Sequence, residues 1–189
     1  MRIYLDTSLF IDYLTARGGH IGSGLRSSSR RGREPAVLFA DAEKLLNCVR
    51  DGRTHKACTS ALTFYEAEEA LFNQLSMPAA GMSHARLLLV SAARAIVMQI
   101  QATSLIYDIE ICELNASTIS SQLKEIGLAH RGIRAADSLH IVTAILSGTD
   151  ILVSGDQGII DVDCVFSNRN GGQLRCLDSD AALPLLLNP

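Results

Sequence analysis

Apolar positions change period along this chain, and the changes divide it into short elements. Residues 2–5 form a brief apolar run that ends at Asp6 and predicts a strand. Leu9, Phe10, Tyr13 and Leu14 follow at helical spacing, with Thr7 or Ser8 placed to cap the helix. Residues 36–49 repeat the helical pattern through Leu38, Phe39, Ala42, Leu45, Leu46 and Val49, with Pro35 suited to a first turn. Residues 57–60 read as a strand and 62–75 as an amphipathic helix. Ser83 is placed to cap a very apolar helix reaching about Thr103. Residues 109–114 alternate like a strand, and Asn115 or Ser117 opens a helix ending at Gly127. Residues 135–146 form a helix rich in small and aliphatic side chains. Ile151, Leu152 and Val153 form a continuous apolar run, as in a buried parallel strand, and 175–177 suit an edge strand. Short strands alternating with helices predict an α/β/α sandwich around a mainly parallel sheet. No internal repeat is visible.

Length adds one constraint: 189 residues, 48% of them hydrophobic, suit a single domain spanning 1–189. One segment departs from the pattern. Residues 17–33 hold five Arg, five Gly and four Ser but no acid, within a basic loop at 16–35. That composition predicts a mobile surface segment. Arg26, Arg30, Arg31 and Arg33 are candidate RNA contacts, although a solvated insertion explains the same residues. The loop has no aromatic for base stacking.

A net charge of −3 gives no bulk attraction to a polyanion, so any nucleic-acid site must be local or use metal ions. Five cysteines without a CxxC pair and five dispersed histidines lack zinc spacing. The acid at position 6 is incompatible with a secretory core, and the apolar stretch 87–100 is short and interrupted by Arg94. A soluble cytoplasmic protein, with no membrane partner, is expected.

The chemistry lies in acids near strand ends and helix starts. In open parallel sheets, ligands bind beyond the carboxyl ends of the strands. Asp6 follows the first strand and Asp156 follows the 151–153 strand. Glu66 lies early in the helix after residues 57–60, and Asp137 in the first turn of the 135–146 helix. Carboxylates about 5 Å apart at an effective dielectric near 20 repel by roughly 3 kcal/mol per pair. A divalent cation removes that penalty, and an all-oxygen set selects Mg²⁺ or Mn²⁺ over zinc.

These segments resemble the PIN-domain family of ribonucleases, over most of the chain from Asp6 to about Asp163. The matching pieces are Ile3-Tyr4-Leu5-Asp6-Thr7-Ser8, the stretch Thr59 to Glu66, the stretch Arg134 to Ala144 around Asp137, and Leu152-Val153-Ser154-Gly155-Asp156. Within the family they are most like VapC-type toxins of toxin–antitoxin pairs. The resemblance implies a PIN-like three-layer sandwich and a Mg²⁺- or Mn²⁺-dependent endoribonuclease that leaves 5′-phosphate and 3′-hydroxyl ends. It also implies a homodimer and a cognate antitoxin. Asp6, Glu66, Asp137 and Asp156 would be the catalytic, metal-binding acids, with Thr7, Ser8 and Ser154 steadying them. Two alternatives stay open. One is a haloacid-dehalogenase-like phosphatase with Asp6 as nucleophile, although Ser8 stands where that class needs a second acid. The other is a catalytically silent PIN-like RNA-binding domain. His140 could contact substrate, but a histidine three residues after an acid on a buried helix is expected to be a satisfied structural group. Arg131 and Arg134 could meet a phosphate or pair with nearby acids. The excess apolar surface of the long helix suits a second copy or a partner.

Overall fold

The computed structural model describes residues 1–17, 30–50, 54–76 and 81–187. Arg26 lies outside them. The strands are β1 Arg2–Leu5, β2 Lys56–Ser60, β3 Ile109–Cys112, β4 Ile151–Val153 and β5 Arg175–Leu177. They form a five-stranded sheet in the order β3-β2-β1-β4-β5, with every neighbouring pair parallel. The helices are α1 Thr7–Arg17, α2 Pro35–Arg50, α3 Leu62–Ser76, α4 Ala85–Ile106, α5 Ala116–Lys124, α6 Ile126–His130, α7 Ala135–Leu146, α8 Gln157–Ile160 and α9 Ser179–Leu187. The predicted α/β/α sandwich is the observed architecture.

Alternation within the strands explains the layers. Successive side chains of a strand point to opposite faces. Ile3 and Leu5 therefore join one core, with Phe10 and Tyr13 of α1, Leu45 and Leu46 of α2, and Leu183 of α9. Tyr4 and Leu152 join the other, with Ile141 and Val142 of α7, Leu128 of α6 and Ile159 of α8. Fully burying one such side chain contributes about 1.5–3 kcal/mol, so each face holds its helices firmly.

Strand order fixes where the site lies. Connections run outward from β1 to β2 and β3 on one side and to β4 and β5 on the other. The switch between the two directions opens a crevice at the carboxyl ends of β1 and β4. Register pairs Leu5 with Val153, and the Asp6 N–H donates to the Val153 carbonyl at 3.0 Å, which sets Asp6 beside Ser154.

Several boundaries differ from those the pattern predicts. Ser83 does not cap α4; His84, in the left-handed region at φ 58°, precedes it with no side-chain cap. The predicted 115–127 helix is two helices, α5 and α6, parted at Glu125. Asn115 does cap α5, its side chain accepting from the Thr118 N–H at 3.0 Å. Helix α4 is also longer than the apolar stretch at its centre. With 22 residues and a mean hydropathy of 1.4, its length and composition no longer argue against a bilayer. Only part of it packs on the protein: Leu89, Ala93 and Ile100 are buried and Arg94 pairs with Glu68 of α3 at 3.4 Å, while Leu87, Leu88, Met98 and Leu105 are exposed.

The end of the basic loop is not a solvated arm. Arg30 and Arg33 bond each other's backbones at 3.0 and 2.9 Å across a tight turn. Arg31 and Gly32 both take positive φ, 53° and 73°, which that turn needs. Arg30 donates to Asp12 of α1 at 2.6 Å. Arg33 pairs with Asp178, just past β5, and with Asp41 of α2 at 3.0 Å. Asp12 and Asp178 are both almost wholly buried. A segment that composition assigns to solvent therefore ends in a buried ion-pair cluster.

Candidate metal centre

Asp6 leaves β1 at the crevice, and its position is over-determined. Its Oδ2 accepts from the Ser154 hydroxyl at 2.7 Å and from the Ser8 hydroxyl at 2.9 Å. Ser8 in turn accepts the Gly155 N–H at 2.8 Å, and Ser154 accepts the Asp156 N–H at 3.0 Å. These bonds stitch the loop after β4 to the loop after β1. Thr7 donates to Glu66 Oε2 at 2.5 Å, joining α1 to α3. Thr7, Ser8 and Ser154 thus touch the acids with which the sequence grouped them.

His140 sits among these acids, which sequence reasoning did not anticipate. It is buried on α7, with Nε2 2.6 Å from Glu66 Oε2 and 3.4 Å from Asp6 Oδ1. Its Nδ1 lies 2.6 Å from the Tyr4 hydroxyl. The ring is satisfied at both nitrogens, as expected, but by the site itself. Burial alone lowers its pKa; the charge of Asp6 and the Glu66 hydrogen bond outweigh that and raise it. The available signal was the i, i+3 spacing from Asp137 on one helix, which places both side chains on one face.

Asp6, Glu66 and His140 present ligand atoms within 4.8 Å of one another. Asp137 and Asp156 belong to the adjoining, more open part. They line a groove of about 490 Å³ with Arg131, Arg134 and Asp161. Asp137 couples the two parts electrostatically. Burial first, then the charges of Asp156, Asp6 and Glu66, push its pKa up to about 6. Asp156 also caps α8, its Oδ1 accepting the Gly158 N–H at 2.7 Å. The four acids singled out from the sequence therefore act on one another across one end of the sheet.

This donor set fits a divalent cation. Carboxylates that push a neighbour's pKa upward are a group whose repulsion a cation would relieve. While Nε2–H donates to Glu66, that nitrogen has no lone pair to offer. Oxygens of Asp6 and Glu66 would then be the ligands in the close group, with Asp137 and Asp156 the nearest further carboxylates, while His140, bonded to Tyr4, orients Glu66. Oxygen ligands suit Mg²⁺ or Mn²⁺.

The RNA contacts expected from the basic loop are placed differently. Arg30 and Arg33 are engaged with Asp12, Asp178 and Asp41. Arg31 bonds the side chain of Gln157, next to Asp156, at 2.5 and 3.1 Å and lies 3.6 Å from Asp178.

A parallel five-stranded sandwich with acids at its switch point is a PIN-like fold. Among solved structures, VapBC2 from Rickettsia felis, crystallised with a DNA fragment from its promoter, is similar. The TM-score is 0.51 and identity 12%, over 93% of this chain and 98% of that one. At this identity the likeness shows the fold alone. No protein-family model matches the sequence, and no curated protein matches it.

Proposed function

We propose that this chain is a Mg²⁺- or Mn²⁺-dependent endoribonuclease, the toxin of a toxin–antitoxin pair. The observation that carries the reading is the convergence of Asp6, Glu66, Asp137 and Asp156 from four separate elements on one edge of the sheet. Burial, and after it the charges of Asp156, Asp6 and Glu66, raise the Asp137 pKa to about 6. The PIN-like fold and the likeness to VapBC2 support the same assignment.

Asp6, Glu66, Asp137 and Asp156 would hold the cation, which offsets phosphate charge and promotes attack by water on the phosphodiester. Ser8, Ser154 and Thr7 fix the carboxylate orientations. Glu66, steadied by His140, is placed to bind the cation or to orient the water. The exposed apolar side chains of α4, among them Leu87, Leu88, Met98 and Leu105, support a covered face in a homodimer or against an antitoxin.

The test is cleavage of single-stranded RNA with Mg²⁺, with Mn²⁺ and with EDTA. Wild-type protein should cut only with metal. Asp6→Asn and Asp137→Asn should each lose at least about a hundredfold, since losing only an outer partner of a metal ligand already costs 10–100-fold. Circular dichroism should stay native. Full cleavage by Asp137→Asn, or cleavage in EDTA, refutes the metal site. A trapped aspartyl-phosphate on Asp6 would assign the phosphatase alternative instead.

A further inference from the structure

Two arginines at the acidic groove remain unused by the fold. Arg131 and Arg134 line the groove that holds Asp137 and Asp156, and both are exposed. Among the described residues, neither guanidinium forms an ion pair or hydrogen bond. Their backbone, by contrast, is pinned. The Arg131 and Ile133 N–H groups both donate to the Leu128 carbonyl at 3.2 Å, and Gly132 takes φ 69° between them. The Arg134 carbonyl accepts the Ser138 N–H at 2.8 Å as α7 begins. Ile133 packs into the second core. A fixed turn therefore presents two free guanidinium groups beside the carboxylates.

We propose that Arg131 and Arg134 grip backbone phosphates of a single-stranded nucleic acid lying along this groove. The proposal rests on the nuclease reading and adds the residues that hold its substrate. Two positive and three negative side chains line the groove, so alone it repels a polyanion; one divalent cation reverses that sign. Guanidinium forks match phosphate oxygens in pairs, and exposed ones leave their water without the penalty of breaking an internal salt bridge. The arginines of the basic turn lack that freedom, because Arg30 and Arg33 already neutralise buried acids.

Binding of a fluorescently labelled single-stranded RNA 12-mer to the full chain, with Ca²⁺ in place of Mg²⁺ and read by anisotropy before any turnover, tests this. Arg131→Ala and Arg134→Ala should each weaken binding about tenfold, the lower end for hydrogen bonds to charged groups. The double variant should lower the slope of log affinity against log salt by about 1.4, since each lost single-strand phosphate contact removes about 0.7. Arg→Lys at either site should restore the slope and part of the affinity. With Mg²⁺, KM should rise far more than kcat falls. The Tm should move by no more than about 1–2 °C. Wild-type affinity and slope in the double variant would overturn the assignment while leaving the nuclease intact. A wild-type chain that neither binds nor cuts RNA would overturn the underlying reading as well.

Discussion

Asp178 and Asp137 both lie toward the carboxyl ends of the strands, yet their surroundings treat them oppositely. Asp178 follows β5 and is buried against Arg33, with Arg30 and Arg31 within 3.6–3.8 Å. Burial alone pushes its pKa up, but the Arg33 hydrogen bond and charge and the Ser179 amide reverse that and hold it below the ordinary range. Burial raises the Asp137 pKa too, and there the neighbouring charges, those of Asp156, Asp6 and Glu66, add to the rise, which reaches about 6. Nearby, Arg131 and Arg134 stay at the rim, unpaired among the described residues. In one region the fold supplies its own counter-charges, and the acids serve stability. In the other no such counter-charge is supplied among the described residues, and the function proposed above assigns the acids to a cation and the arginines to an anion.

The sharpest way to break this contrast is to remove a counter-charge from the structural cluster. Arg33→Met leaves Asp178 buried without its main partner and should cost about 3 kcal/mol, the low end for opening a buried pair because Arg33 is slightly exposed. For a chain of this size that is a Tm fall of about 6–12 °C. The sign with pH follows from the lowered pKa. The stability that Asp178 contributes is present above the usual carboxylate pKa and is lost as pH falls through its folded value. The deficit of the variant should therefore shrink in acid. An Arg33→Met Tm within 2 °C of wild type at neutral pH would show that the cluster is ornamental.

A smaller effect tests how the cluster reaches the site. A Cβ at Gly155 would run into the Arg30 guanidinium, which is tied to Asp12. Gly155→Ala should cost about 1–2 kcal/mol, as Arg30 is driven off its partner or the loop shifts. In a background of Arg30→Ala the same change should cost much less, a coupling that a double-mutant cycle in thermal denaturation measures. Strict additivity would separate the basic turn from the loop that carries Asp156.

The gentlest test uses Asp137. In metal-free protein its raised pKa means that folding favours the protonated carboxyl. Stability should then fall as pH rises from about 4 to about 6 and level off above that. Asp137→Asn should abolish that segment of the profile, read as Tm against pH in EDTA. An unchanged profile would mean that the four carboxylates do not share one field.

Much of this was legible in the chain. Ile3, Tyr4 and Leu5 had to form a strand with two buried faces, and Asp6 had to follow it at a carboxyl end. The run 151–153 placed Asp156 the same way. The small residues around Asp137 marked a packed helix, so its carboxylate needed a reason to be there. These inferences rest on periodicity and strand-end geometry, which are short-range properties. His140 escaped because its partners, Tyr4 and Glu66, lie 136 and 74 residues away. Asp178 follows a strand as Asp6 does, and nothing local tells the two apart.

Sequence alone determined the alternation of elements, the parallel sandwich and the acids at its carboxyl edge, because side-chain period and turn chemistry act over a few residues. Only the tertiary structure decided which charges are spent inside the protein and which remain open. Arg33 meets Asp178 across 145 residues, whereas Arg131 and Arg134 meet no acid among the described residues. Charge pairing depends on distance in space and on burial, and the strand order that sets both is long-range.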